Sequence, residues 1–200
     1  MKPAWWDEAA RALSRQDRLL RRLIRRHPDV HLTRRSDPFT TLARAIVGQQ
    51  ISVKAADTIW HRFVVAVAPQ TSGRRFPRLD PRAVGGVALP GLRNCGLSQR
   101  KAEYLRDLAG HFVSGSLDPK RWRKLDDEAL IAALVDVNGI GRWTAEMFLI
   151  FHELRADVLP VDDIGLKNAM ALHYFDGERP TPAAMRELAA AWQPWRSVAT

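Results

Sequence analysis

The sequence has a single cysteine, Cys95, in 200 residues. With one thiol, neither a disulfide framework nor a four-thiolate cluster can form within one chain. Long apolar runs are also missing. No stretch reaches the roughly 18 residues that would suggest a membrane-spanning helix, and the N-terminus, Met-Lys-Pro-Ala-Trp-Trp-Asp, lacks the apolar core of a signal peptide. These absences lead to the expectation of a soluble, cytoplasmic protein with no membrane partner. Alternation of the strand period appears nowhere at convincing length, and there is no internal repeat or low-complexity tract, so the expected fold class is all-α. Acidic side chains are the scarcer charge. Against 31 Lys and Arg stand 22 Asp and Glu, and the resulting net charge of +9, carried mostly by Arg, favours a polyanionic partner. A hydrophobic content of 46% suffices for one domain or two small lobes with a real core.

Taken in order, Trp5 to His27 reads as one amphipathic helix. Leu13, Leu19, Leu20, Leu23 and Ile24 lie on one side, and a dense arginine face on the other is either solvated or touches nucleic acid. Pro28 ends it, and Leu32 to Pro38 is a polar link. Pro38 to Val67 is a long helical region broken near Gly48-Gln-Gln-Ile-Ser52, where Gln49 and Gln50 interrupt the apolar stripe of Leu42, Ala45, Ile46, Ile59 and Phe63. Two amides at a helix break either satisfy orphaned backbone groups or reach outward to a ligand. Pro69 to Pro90 is a connector with one short helix at Asp80–Val84. Ser98 then caps a helix running to Phe112, and Arg100 and Lys101 in its first turn oppose the helix dipole, a hint of a phosphate contact set against plain surface charge. Asp126 to Leu134 forms a helix with an acidic start. Further helices follow over 165–174, from Thr181 to Trp192 and from Pro194 onward.

The organising stretch runs from Leu134 to His152. An apolar helical run ends in Asn138-Gly139-Ile140-Gly141, and a second, with Trp143, Met147, Ile150 and Phe151 at helical spacing, starts at once. Both glycines are expected to take backbone angles closed to other residues and to leave no side chain over the backbone amides. Amides at the start of the Arg142–His152 helix would point outward with the positive end of the dipole behind them, forming a phosphate cradle. The alternative is an ordinary helix connection with a glycine C-cap.

Asn-Gly-Ile-Gly-Arg-Trp-Thr-Ala from Asn138 to Ala145, followed by Val-Leu-Pro-Val-Asp-Asp-Ile-Gly from Val158 to Gly165, resembles the helix-hairpin-helix DNA glycosylase superfamily, and within it the alkylpurine branch, the 3-methyladenine DNA glycosylase II type. Arg44-Ala-Ile-Val-Gly-Gln-Gln-Ile-Ser-Val53 and Ala191-Trp-Gln-Pro-Trp-Arg-Ser197 extend the likeness from about Phe39 to the end of the chain. The resemblance implies a two-lobed helical fold in one domain of residues 1–200, with one lobe over 38–160, the other built from 1–37 and 161–200, and the active site in the cleft between them. It implies double-stranded DNA containing damaged bases as partner, a monomer, a nucleoid location in a bacterium and no required cofactor. Some relatives carry an iron-sulfur cluster, which one cysteine cannot hold.

The resemblance also assigns residues. Val137, Asn138, Gly139, Ile140, Gly141, Arg142 and Thr144 form the DNA-binding hairpin, whose carbonyls at Val137, Ile140 and Gly141 hold a monovalent cation in similar proteins. Gln50, with Ile51 beside it, is the plug that enters the duplex where the damaged nucleotide has left, at a position where relatives often carry an aliphatic wedge.

Breaking an N-glycosidic bond makes the sugar oxocarbenium-like, so a carboxylate is needed beside the anomeric carbon. Asp163, in the pattern Asp163-Ile164-Gly165, is the expected catalytic residue, and Asp162 is the runner-up and a cap-like neighbour; both could instead simply cap the following helix. Members that also cut the backbone use a lysine where this chain has Trp143. An indole cannot form a Schiff base, so the expected enzyme is monofunctional, a hydrolase of base excision repair acting on 3-methyladenine and 7-methylguanine. Trp143, with Met147 one turn on, would line the base pocket, an electron-rich face for a cationic base. A non-catalytic DNA-structure-binding protein and a glycosylase for another damaged base are the alternatives. The chain ends at Thr200, where similar enzymes continue for at least two more turns, and has no room for the β-rich N-terminal lobe some of them carry.

Overall fold

A computed structural model describes the chain except for Met1, Arg35, Ser72 and residues 74–76. The parts of the 32–38 link and the 69–90 connector that fall on these lie outside the described residues. In chain order the helices are α1 (Trp6–Gln16), α2 (Arg18–Arg26), α3 (Pro38–Gly48), α4 (Val53–Val67), α5 (Pro81–Gly86), α6 (Leu89–Asn94), α7 (Gln99–Ser114), α8 (Asp127–Val135), α9 (Arg142–Phe148), α10 (Ile164–Tyr174), α11 (Pro182–Ala189) and α12 (Arg196–Ala199). Among the described residues there is no strand, as the all-α expectation requires. Among the described residues no helix is long and apolar enough to cross a membrane.

The chain divides into two compact units. One is Met1–Arg34 with Glu146–Thr200, the other Arg35–Ala145. The second changeover thus falls inside α9, whereas the sequence had suggested 160/161.

In the first unit the helix read over Trp5 to His27 is two helices. Asp17 is extended (φ −132°, ψ 122°) and caps α2 by accepting from the amides of Leu19 and Leu20. Its other carboxylate oxygen accepts from Tyr174 Oη at 2.8 Å and Trp192 Nε1 at 3.2 Å. An amphipathic pattern read by periodicity alone runs straight through such a break, because the leucines on either side keep their faces. Leu13 and Leu20 are buried with Val161, Leu166, Met170, Met185, Ala189 and Trp192, and Leu23 and Ile24 pack against that cluster. Burial alone would raise the Asp17 pKa. The Leu20 amide, the Tyr174 and Trp192 donors and the Leu19 amide outweigh it and hold the carboxyl below its ordinary range.

The second unit is built around α7, which packs against α3, α5 and α6. Ala102, Leu105, Leu108 and Ala109 form its buried face, and Leu42, Ile46 and Val47 of α3, Val84 of α5 and Leu92 of α6 are buried as well. Phe112 sits edge-on between Phe39 (5.2 Å) and Trp122 (6.1 Å). Ser98, Asp80 and Asp126 cap α7, α5 and α8 as their side chains suggest. The short helix α6, with Gly91 inside it, carries too little apolar pattern to be seen beforehand.

Candidate nucleic-acid interface and active site

The hairpin between α8 and α9 hangs on two buried side chains, Val137 and Ile140, which are 1% and 3% exposed. Gly139 has φ +85°, and a Cβ placed there would stand 2.2 Å from Cδ2 of Tyr104, so conformation and close approach both demand glycine. Gly141 differs from expectation. Its φ is ordinary and nothing lies within 4 Å of a Cβ built on it, so what it provides is open space in front of the turn. The backbone ladder of α9 opens with the Ala145 amide donating to the Gly141 carbonyl at 3.0 Å. The amides of Arg142, Trp143 and Thr144 precede it at the positive end of the helix.

Side chains around the turn hold it in place. Asp107 accepts from both the amide (2.8 Å) and the side chain (3.0 Å) of Asn138. Arg142 makes a forked pair with Glu128, at 2.9 Å and 2.5 Å. Its hydrogen bonds, and then its charge, keep the Glu128 carboxyl below the usual carboxylate range. Thr144 is buried, so what it offers a phosphate is its backbone. Val137 and Gly141 carbonyls each accept one backbone amide, which leaves each carbonyl capacity for a second partner and suits a monovalent cation. The neighbouring Gly139 carbonyl is taken by Gln49 Nε2 at 2.8 Å.

That last bond separates the two glutamines. Gln49 turns inward to the hairpin, and Gln50 is exposed at φ +56°, with Ile51 37% exposed beside it. A left-handed glutamine is uncommon and costs about 1 kcal/mol or more, a cost that recurs at ligand-binding loops. Lys101 completes the arrangement by donating to the carbonyls of Val47 (2.8 Å) and Gln49 (2.7 Å) at the end of α3. Its ammonium is therefore a backbone cap, a role its place in the first turn of α7 did not suggest. Burial lowers its pKa even so. Lys101, Tyr104 and Asp107 form one stripe of α7 that fixes the Gln49–Ser52 turn and the hairpin to the same helix. Sequence reasoning missed Tyr104 and Asp107, whose only signal is their spacing of three.

Trp143 is 45% exposed, which excludes the core packing role that most tryptophans have. Trp122 and Trp192 are buried, and Trp5 stacks on Trp195 at 6.0 Å. Met147 is half-buried. Beyond Phe148 the helix widens into a π turn, Leu149–Glu153, a feature frequent at functional sites.

In the other unit a turn closed by the Asp163 amide on the Pro160 carbonyl (2.9 Å) presents Asp162 and Asp163. They are not equivalent. Asp163 is half-buried and caps α10 itself, its Oδ1 accepting from the Leu166 amide at 2.7 Å, so the cap role anticipated for Asp162 belongs to Asp163. Asp162 is 60% exposed, facing Lys167 at 3.4 Å. Gly165 leaves room for the Asp163 carboxylate, since a Cβ there would sit 3.1 Å from Oδ1. The segment leading into the turn is clasped from the C-terminal side. Arg196 binds Asp157 through Nε (2.7 Å) and Nη2 (2.9 Å), while Val158 donates to Ser197 Oγ at 3.0 Å and Ser197 donates to the Ala156 carbonyl at 3.0 Å.

Residues 43–194 match the family described as HhH-GPD superfamily base excision DNA repair protein. DNA-3-methyladenine glycosylase 1 of Schizosaccharomyces pombe is 33% identical over 82% of this chain and 73% of its own length. DNA-3-methyladenine glycosylase 2 of Escherichia coli is 32% identical over 90% of this chain, which spans 61% of that relative, less than two thirds. Among solved structures, the S. pombe 3-methyladenine DNA glycosylase in complex with abasic DNA superposes with a TM-score of 0.80 at 30% identity, covering 96% of this chain and 92% of that one.

Proposed function

We propose that this chain, which belongs to the HhH-GPD superfamily of base excision DNA repair proteins, releases alkylated purines such as 3-methyladenine and 7-methylguanine from duplex DNA by hydrolysis and does not cut the backbone. The observation that carries the reading is Asp163, a carboxylate locked by the Leu166 amide over Gly165 and placed by a clasped turn. As the bond from C1′ to N9 breaks, its electron pair leaves with the base, neutralising the cationic purine, and the sugar becomes oxocarbenium-like. Asp163 stabilises that charge and accepts a proton from the water that attacks C1′, leaving an abasic site.

Alkylation has already weakened the bond, and the exposed indole of Trp143 attracts the cationic base face-on, an attraction worth about 0.5–2 kcal/mol. With Trp143 where an amine nucleophile would be needed, no Schiff base forms and the enzyme is monofunctional. The hairpin amides hold a backbone phosphate. A monovalent cation held by the carbonyls of Val137, Ile140 and Gly141 would add positive charge there. Gln50 fills the gap left by the extruded nucleotide, offsetting a flipping cost of a few kcal/mol. The protein works as a monomer on damaged DNA.

Asp163→Asn tests the reaction without removing the cap, because Asn is as good an N-cap as Asp. Chromatography of bases freed from methylated duplex should show release by the wild type and a loss of about 100-fold or more in the variant, with affinity for abasic duplex retained. A wild-type chain that binds DNA and frees no base, or a variant that frees it at the wild-type rate, would overturn the assignment. Release confined to neutral lesions would move it to another damaged base.

A further inference from the structure

The nine residues of α2, Arg-Leu-Leu-Arg-Arg-Leu-Ile-Arg-Arg, contain no acidic side chain. Arg18, Arg21, Arg22, Arg25 and Arg26 recur at the i, i+3, i+4, i+7, i+8 positions of one helical face, and together they line a single surface depression of about 600 Å³. Among the described residues none of the five pairs with a carboxylate. Arg21 is tethered by Nε to the Ser14 carbonyl, and Arg18, Arg22, Arg25 and Arg26 are exposed. Like charges four apart destabilise a helix, and this helix repeats that spacing at 18/22, 21/25 and 22/26 with nothing to neutralise it. Asp17, the nearest carboxylate in sequence, faces the other way, bound to Tyr174 and Trp192.

We propose that the arginine face of α2 is a second surface for duplex DNA, separate from the hairpin, that holds the sugar–phosphate backbone without reading sequence. From Arg18 to Arg26 the helix rises about 12 Å, a length over which one DNA strand presents roughly three to four phosphates. Guanidinium groups match phosphate oxygens in pairs. An anionic membrane fits worse. An interfacial helix inserts its apolar face, and here Leu20 is buried and Leu23 and Ile24 pack on the core of their own unit. The choice of DNA as occupant rests on the DNA-repair reading, while the polyanion site itself does not.

The test compares wild type with the variant R18Q/R22Q/R25Q/R26Q, which keeps the tethered Arg21, after circular dichroism confirms that both are folded. Binding to undamaged duplex is titrated from 50 to 300 mM salt, and base release is measured under single turnover with enzyme saturating. The expected result is a logarithmic salt slope shallower by about two to four, an affinity at least about tenfold weaker at 100 mM salt, and an unchanged saturated release rate. An unchanged slope and affinity would overturn the proposal. So would a fall in the saturated rate of the folded variant, which would make the stripe part of the catalytic site, or binding of the wild type to phosphatidylserine vesicles in preference to DNA. A wild type that releases no base but shows the expected change of slope would sink the glycosylase reading and leave this surface standing.

Discussion

Trp143 stands 45% exposed in the first turn of α9, so its replacement removes a solvent-exposed ring and little packing. Trp143→Ala should slow release of a cationic base roughly 2- to 30-fold while moving the melting temperature by less than about 3 °C. Release assays on 7-methylguanine and on a neutral purine lesion check this, and an equal loss on both would exclude the face-on contact. The two hairpin glycines, identical in the sequence pattern, should respond oppositely. Gly139→Ala forces a methyl into Tyr104 at positive φ and should cost about 2–4 kcal/mol, read by thermal unfolding. Gly141→Ala meets nothing and should leave the melting temperature unchanged but weaken DNA binding, because its methyl intrudes on the open face. The glycine spacing pointed to the turn, and the family resemblance to Asp163 and Trp143, since each rests on a local pattern. They could not separate Gly139 from Gly141, because the difference lies in Tyr104, a partner remote in sequence, and only the resemblance preferred Gln50 to Gln49, since the Gly139 carbonyl that takes Gln49 is equally remote.

At the level of elements, caps were legible and junctions were not. Ser98, read as a cap, and Thr181, read as a helix start, each cap the helix that follows through the amide three residues on, which a local pattern suffices to show. The stripe on α7 was invisible because its partners lie on α3 and in the hairpin. Its consequence is mechanical. Lys101 holds two carbonyls at the end of α3 while Gln49 reaches across to Gly139, so the Gln49–Ser52 turn and the hairpin share one support. Lys101→Met should destabilise the fold by about 1–3 kcal/mol and weaken abasic-DNA binding beyond what one lost surface charge accounts for. Measured at 300 mM salt, where surface charge is screened, the binding defect should persist; its disappearance there would reduce Lys101 to a simple counter-charge.

For the molecule as a whole, acid sensitivity should concentrate on Asp17. Its folded pKa lies below the unfolded 3.8, so the stability it contributes is fully present above about pH 4 and is lost as pH falls through the lower folded value. Asp17→Asn should therefore be less stable than wild type near neutrality by about 1–3 kcal/mol, and the gap should close as pH falls below about 4. Urea titrations across that range check it, and a gap independent of pH would assign the loss to packing. The same carboxylate bears on how the chain comes into being. Residues 35–145 form one uninterrupted unit, whose residues have all been made once synthesis passes position 145. The other unit is complete only later, because Asp17 must wait for Tyr174 and Trp192, 157 and 175 positions later, so the first 34 residues stay unpartnered through most of translation. For that interval the leucines of an amphipathic, arginine-faced segment lack the residues from Val161 onward that cover them in the finished fold.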